Sequence, residues 1–271
     1  MSFRFGFQTY TWQIAYDKYA DKLPHILHII KAAGGKGVEP EVCMMGPYVT
    51  DPALLHADLE QKQLQLGAIC LALEWKHEQE TPEEQAEADR VIAYLRHFPG
   101  TLLILGQRPG MNRSHLAERQ ANALLNINAV AKRSYEQGVR CAFHPNSPAG
   151  SIFRTEKDYQ ILLGGLNPAY CGYAPDTGHI AKGGMDVIQT FRKYRSFIDH
   201  VHFKDMTSEG QWCAMGQGSI DHLEIVRLLH ETNYNGWIMV EEESIEAEAS
   251  PDQVTLANGK YIQEILRGDR I

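Results

Sequence analysis

The sequence predicts a single-domain (β/α)8 barrel, the TIM-barrel architecture, over residues 1–271. Three observations carry this. Short apolar strands alternate with amphipathic helices in eight units of about 34 residues, the usual repeat of such a barrel. No Pro/Ser-rich linker or low-complexity tract divides the chain. The late strands end in polar, metal-competent residues, and a barrel of this kind keeps its chemistry at those ends. A doubly wound open sheet needs a Gly-rich phosphate turn after an early strand, and none is present.

The elements follow in order. Phe3, Phe5 and Phe7 alternate with Arg4, Gly6 and Gln8, which marks a first strand. Leu23, Ile26, Leu27 and Ile30 share one helical face, ending near Gly34-Gly35. A short strand at Gly37-Val38-Glu39, a helical stretch from Asp51 to Leu66, and a strong strand from Ala68 to Leu73 come next. Thr81-Pro82-Glu83-Glu84 reads as a capping box with Pro at the first helical position, opening a helix to about His97. The spacing then predicts a strand at Thr101–Leu105, a helix over Ser114–Gln137, a strand at Val139–Phe143 and a helix opened near Thr155. Strands at Cys171–Ala174, Ile198–Phe203 and Trp237–Val240 are separated by helices at Met185–Tyr194 and Asp221–Thr232. Ser250-Pro251-Asp252-Gln253 caps the last helix.

Composition excludes several classes. With 34 acidic against 26 basic residues the net charge is -8, and no basic run offers a nucleic-acid groove or a seat on an anionic membrane. The N-terminus shows no signal-peptide pattern and no apolar run is long enough to span a bilayer. Cys43, Cys70, Cys141, Cys171 and Cys213 are scattered, odd in number and never in a C-x-x-C pair. That usage predicts thiols in a reducing compartment and a cytoplasmic protein. Its partner is a small molecule, and a homo-oligomer stays open.

The segment Ile198-Asp199-His200-Val201-His202-Phe203-Lys204-Asp205 puts Ile198, His200, His202 and Lys204 on one face. Burying such a basic, imidazole-rich face is costly unless a ligand, metal or hydrogen-bond partner satisfies it. Other strand ends supply partners: Gln8 and Trp12, Glu39 and Glu41, Glu74 and Trp75, Gln107, His144 and Asn146, Asp176 and His179, and Glu241. Four late strands each deliver a metal-competent group, His144, Asp176, His202 and Glu241. Imidazole plus carboxylate suits Mn²⁺, Co²⁺, Fe²⁺, Zn²⁺ or Mg²⁺. Each has a plainer reading: His144 capping a loop, Asp176 bonding its own turn, Glu241 opening a solvated acidic run. Their coincidence at successive strand ends favours the site. His200, deeper on its strand, reads as a satisfied core histidine. Asn146 and Trp75 are candidate substrate contacts at the rim, though tryptophans such as Trp75 and Trp237 are more often packing residues than stacking platforms.

Gly37-Val38-Glu39, Asp176-Thr177-Gly178-His179, His202-Phe203-Lys204-Asp205, Gly216-Gln217-Gly218-Ser219-Ile220-Asp221 and Gly236-Trp237-Ile238-Met239-Val240-Glu241 span most of the chain. In this order they resemble the xylose-isomerase-like sugar phosphate isomerases/epimerases, which include ketose 3-epimerases, hydroxypyruvate isomerase and inosose dehydratase. The resemblance implies a divalent ion, Mn²⁺ favoured over Co²⁺, Mg²⁺ or Zn²⁺, on Asp176, His202 and Glu241. It also implies substrate contacts from His179, Lys204 and Glu39. Most of these enzymes carry a fourth ligand, a glutamate, at the end of the fifth strand, where this chain has His144. Only Glu241 remains of the epimerases' two acid–base glutamates, so the sequence looks more similar to inosose dehydratase-like members.

The expected chemistry is enolisation of a keto-sugar or keto-cyclitol, with isomerisation or dehydration as the outcome. The ion acts as a Lewis acid on the carbonyl. Glu241 is the expected principal base, with His144 as alternative, and His179 or Lys204 supplies or polarises a proton. Glu242 should point away and Glu243 should lie beyond reach. A non-catalytic sugar-binding barrel and a multi-metal nuclease are the rival readings, the latter disfavoured by charge. Gly216-Gln217-Gly218 is a weak candidate cradle for a substrate phosphate.

Overall fold

The computed structural model describes residues 4–266, so Phe3 lies outside the described residues. Eight parallel barrel strands are present: β1 (Arg4–Gln8), β2 (Gly37–Glu39), β3 (Ala68–Leu73), β4 (Leu102–Gln107), β5 (Cys141–His144), β6 (Cys171–Tyr173), β7 (Val201–Phe203) and β8 (Trp237–Val240). Continuous ladders run β2-β1-β8-β7 and β3-β4-β5-β6. Single bridges join the two arcs into a ring, Glu41 to Cys70 on one side and Tyr173 to Ile198 and Asp176 to His202 on the other.

Eight outer helices, α1 (Leu23–Ala32), α2 (Pro52–Lys62), α3 (Pro82–Leu95), α4 (Leu116–Tyr135), α5 (Glu156–Gly165), α6 (Val187–Tyr194), α7 (His222–Glu231) and α8 (Pro251–Tyr261), follow the strands. Five of their starts carry side-chain caps, from Asp51, Thr81, Thr155, Asp186 and Asp221, whereas Ser250, expected to cap α8, makes no side-chain capping bond. Thr81 forms both halves of its capping box with Glu84, and Thr155 does the same with Asp158. Most boundaries shift by one to three residues from the sequence reading, and the largest shift is at the end of α2. Helix α2 stops at Lys62 because Gln63 turns left-handed at φ 52°, and Gln65–Leu66 then pairs with β2 as a short strand.

Period-two parity runs through every barrel strand. One set packs outward into the main core under the helices: Phe5 and Phe7, Val38, Ile69 and Leu71, Leu103 and Leu105, Cys141 and Phe143, Val201 and Phe203, Ile238 and Val240. The other set points inward. On β3 to β6 it is small or aliphatic, with Ala68, Cys70, Ile104, Ala142 and Ala174 forming a separate cluster. On β2 and β7 the inward set is polar, and Glu39, His200 and His202 are all fully buried there. This apolar floor and polar side position everything above them. The five cysteines are free, as expected. Among the described residues no helix is long and apolar enough to cross a membrane.

Candidate metal centre and substrate pocket

The ends of β5, β6, β7 and β8 bring His144, Asp176, His202 and Glu241 together, with one ligand atom from each lying within 4.8 Å of the others. The four side chains are buried. Each is oriented by a partner behind it. His144 Nδ1 lies 3.2 Å from the Ala174 carbonyl, a bond it can make only as donor, so Nε2 keeps its lone pair. Burial and the neighbouring His202 and His179 take its pKa down to about 3, so the ring is neutral. Asp176 caps the short helix Thr177–Lys182, with Oδ1 accepting from the His179 N–H at 2.7 Å. Its Oδ2 is buried with no hydrogen-bond partner. The turn role and the ligand role therefore coexist in one carboxylate.

His202 is gripped from two sides. Its Nε2 approaches Glu39 Oε1 at 2.9 Å, and Nδ1 faces Glu241 Oε2 at 3.5 Å, without a hydrogen-bond partner. Burial opposes charge on this ring, but Glu39 and Glu241 raise its pKa to about 10. The carboxylates that attract a proton here attract a metal cation equally. Ligands about 2.1 Å from an ion sit about 3–4 Å apart, so the cluster needs only small rotations to bind one. Buried unpartnered atoms on Asp176 and His202, with mixed N/O donors, fit a divalent ion.

Lys204, fully buried, is the hub beside this set. Its Nζ donates to Glu241 Oε1 at 2.6 Å and to Glu243, and lies 3.6 Å from Asp176 Oδ2. Burial would lower its pKa, but Asp176, Glu241 and Glu243 hold it well above the ordinary lysine value. Reciprocally, Lys204 and His202 overcome burial and hold Glu241 well below the usual carboxylate range. Lys204 also donates to His179 Nε2 at 3.3 Å, so His179 carries its proton on Nδ1, facing Ser147 Oγ at 2.8 Å. Burial and Lys204 keep His179 neutral. Gly178 is required here: a Cβ would stand 2.8 Å from the Trp212 ring and 2.9 Å from Lys204 Cγ.

Several placements depart from the sequence reading. Glu39 does not meet the pocket. It lies one layer down, where Oε2 accepts from His200 Nε2 at 2.6 Å, and it steadies His202 from below. His200 is a core histidine as expected, bonded through Nε2, while its buried Nδ1 has no hydrogen-bond partner. Trp75 is buried in the outer core and does not line the cavity. It follows the outward parity of Ile69, Leu71 and Leu73, and sits at φ 45° with its N–H bonded to Glu84 at 2.7 Å. Glu242 turns away onto Asn258, as expected. Glu243, expected beyond reach, folds back onto Lys204 and lines the cavity, because the chain leaves extended geometry after β8. Gly216 and Gly218 spend their N–H groups on Asp205 Oδ2, at 2.9 and 3.0 Å. That nest already holds an anion of its own chain and offers no phosphate cradle.

Above the set opens a cavity of about 330 Å³, lined by His144, Asn146, His179, Glu241 and Glu243 on one side and by Gln8, Tyr10, Gln13, Glu41, Gln107 and Arg108 on the other. Asn146 is fixed by donating to the Gln107 carbonyl at 2.8 Å. A larger groove at the other end of the barrel, about 490 Å³ around Arg4, His56 and His97, contains none of the clustered donors.

Comparison with known proteins agrees with this architecture. The chain is 27% identical over 267 residues to an inosose dehydratase of Clostridium botulinum, covering 86% of each. Among solved structures it resembles the zinc-bound IolI protein, with a TM-score of 0.79, 14% identity and coverage of 99% of this chain and 100% of the other. It also resembles the probable 3-DHS dehydratase AsbF of Bacillus anthracis, with a TM-score of 0.77, 16% identity and coverage of 97% and 99%. Likeness at such identities speaks for the fold alone. The pattern of one family matches residues 27–265, nearly the whole described barrel, and the chain belongs to it: the xylose isomerase-like TIM barrels.

Proposed function

We propose that this chain is a divalent-metal-dependent enzyme that enolises a cyclic or open-chain polyhydroxy ketone, with dehydration of a keto-cyclitol of the inosose class as its outcome. The observation carrying this reading is the convergence of His144, Asp176, His202 and Glu241, each held from behind and each with a donor atom turned to a common point. These four residues would hold the ion, Mn²⁺ favoured. Bound there, it would supply Lewis acidity to a substrate carbonyl and lower the pKa of the adjacent C–H.

The chain's own groups do the rest. Glu241 is kept ionised by Lys204 and His202, so it is ready to accept the proton α to the carbonyl. Lys204, charged and aimed between Glu241, Glu243 and His179, is suited to hydrogen-bond developing oxyanion charge. His179, neutral with its Nε2 lone pair toward Lys204, accepts rather than supplies a proton. Asn146 is suited to orient hydroxyls from the rim. The self-filled Gly216–Gly218 nest favours an unphosphorylated substrate. Inosose dehydratase relatives that cover most of the chain support the substrate class.

The test is elemental analysis followed by incubation of metal-loaded protein with inososes and ketoses in deuterated water. The expected result is one ion per chain, metal-dependent deuterium incorporation beside the carbonyl, and formation of a dehydrated dione. A chain that binds no ion supports the sugar-binding reading, and several ions per chain would support the nuclease reading.

A further inference from the structure

A β-elimination needs two proton-handling groups at different carbons: a base for the C–H beside the carbonyl and an acid for the hydroxyl leaving the next carbon. The Glu241 side provides the first. His144 stands where a second metal-bound carboxylate would be expected, so the acid must come from elsewhere. Among the described residues lining the cavity the remaining carboxyls are Glu243, bound to Lys204 on the Glu241 side, and Glu41 on the β1–β4 side, with amides and a thiol around it.

Glu41 is a built position. It continues the inward parity of Gly37 and Glu39 one layer higher, and its backbone is pinned by an N–H bond to Thr9 Oγ1 at 2.9 Å and by the bridge to Cys70 on β3. Its Oε1 accepts from Gln8 Nε2 at 2.9 Å. The Gln8 amide is itself oriented, because its oxygen is taken by the Tyr10 N–H. The Cys70 thiol lies beside the same carboxyl group. No lysine or arginine among the described residues pairs with it, in contrast to Glu241 and Glu243, which share Lys204. Glu41 is only partly covered, whereas Glu39 below it is sealed. In an eight-stranded ring, β2 lies opposite β6, so Glu41 stands across the ring from Asp176 and His179, and His179 lines the same cavity.

We propose that Glu41 is a second catalytic carboxyl of this site, giving its proton to the departing hydroxyl from the wall opposite Asp176. The inference rests on the enolising function above. In that step the C–H electron pair becomes the new C=C bond and the C–O pair leaves with the hydroxyl. The Glu41 proton converts that hydroxyl to water. The proton taken by Glu241 returns to Glu41 through solvent, so each turnover releases one water and consumes no co-reactant. Electrostatics agree with the geometry. Burial, reinforced by Glu241 and Glu39 and only partly offset by Cys70 and Gln8, pushes the Glu41 pKa up to about 7, while Glu241 is held low. Two carboxyls whose surroundings drive their pKa values apart divide naturally into acid and base.

The experiment compares metal-loaded wild type, Glu41→Gln and Glu41→Asp on scyllo-inosose in deuterated water, following α-deuteration by NMR and dione formation by ultraviolet absorbance. Metal content and melting temperature are recorded for each protein. Glu41→Gln should keep its ion and its fold and exchange the α-proton within about 3-fold of wild type. Its dione formation should fall by about 10²–10⁴-fold, the usual weight of one acid–base group, with partial recovery in Glu41→Asp. Dione formation within about 3-fold of wild type in Glu41→Gln would overturn the proposal. So would exchange and elimination falling together, which would make Glu41 a binding group or the base. Wild type that neither exchanges nor eliminates would overturn the enolising function, and this proposal with it.

Discussion

The late and early halves of the barrel rim use different chemistry. Strands β5 to β8 end in His144, Asp176, His202, Lys204 and Glu241, and their charges are compensated within the group. Strands β1 to β4 and the turn after β2 contribute Gln8, Glu41, Cys70 and Gln107, mostly neutral, with one carboxyl that pairs with no cation among the described residues. A compensated set fixes charge and binds an ion. An uncompensated carboxyl in a polar wall, whose one cation Arg108 does not pair with it, can hold a proton near neutral pH. If the proposed roles hold, proton donation to the leaving group is separated in space from metal binding, and substitutions on the two sides should fail differently.

The largest effect should come from the late half. Asp176→Ala and His202→Ala each delete one of four ligands and should lose the ion and all turnover while the far-ultraviolet circular dichroism stays that of the folded barrel. Full metal occupancy in both variants by elemental analysis would break the assignment of this side. Next comes Glu241→Gln, which keeps an oxygen for the ion and for Lys204 but removes the base. Deuterium exchange should fall by roughly 10²–10⁴-fold with most of the metal retained. Unchanged exchange would move the base to His144 or to Glu243, the acid on the other side of Lys204.

Glu39 belongs to neither half of the rim; it supports the late half from below. Removing its charge by Glu39→Gln should weaken metal affinity about 10–100-fold, the usual cost of losing a partner that orients a ligand histidine. It also has a pH signature. Burial would raise the Glu39 pKa, but His202 and His200 take it down to about 2, below the ordinary 4.5. A depressed folded-state value stabilises above the unfolded pKa. That contribution is complete above about pH 4.5 and is lost as the pH falls toward 2. Thermal melts of the metal-free protein should therefore show a steeper loss of stability from pH 5 to 3 in wild type than in Glu39→Gln.

Strand parity explains what the sequence revealed and what it concealed. Alternation placed β1 to β8 and found His144, Asp176, His202 and Glu241, because each holds the inward parity of its strand at or just past its end. Height itself has no sequence signal. Glu39 and Glu41 share one parity, and only the register of β2 against β1 shows that Gln8 lies level with Glu39 while Glu41 rises above. Past the strand ends, parity fails. Glu243 is expected beyond reach because it lies past the end of the strand, but the chain bends after Val240 and brings it to Lys204. The Gly216-Gln217-Gly218 turn was legible as a nest, and its occupant Asp205, eleven residues earlier at the nearest, was not.

The smallest effect should be at Trp75, the rim residue that sequence alone suggested for substrate. Its parity is that of Ile69, Leu71 and Leu73, so the indole packs under the helices and not over the cavity. Its Nε1–H is buried without a partner, a donor that costs about 1–3 kcal/mol to leave unpaired. Trp75→Phe keeps an aromatic ring and the backbone bond to Glu84 while deleting that donor. Lost volume and the removed penalty then offset each other, and stability should change by less than about 1.5 kcal/mol, as for mild core swaps. Trp75→Ala, which empties the site, should cost about 3–5 kcal/mol. Neither change touches a cavity-lining group, so kcat/KM of Trp75→Phe should stay within about 2-fold of wild type. A selective rise in KM in a fully stable Trp75→Phe protein would return this ring to the substrate wall and enlarge the early half's share of recognition.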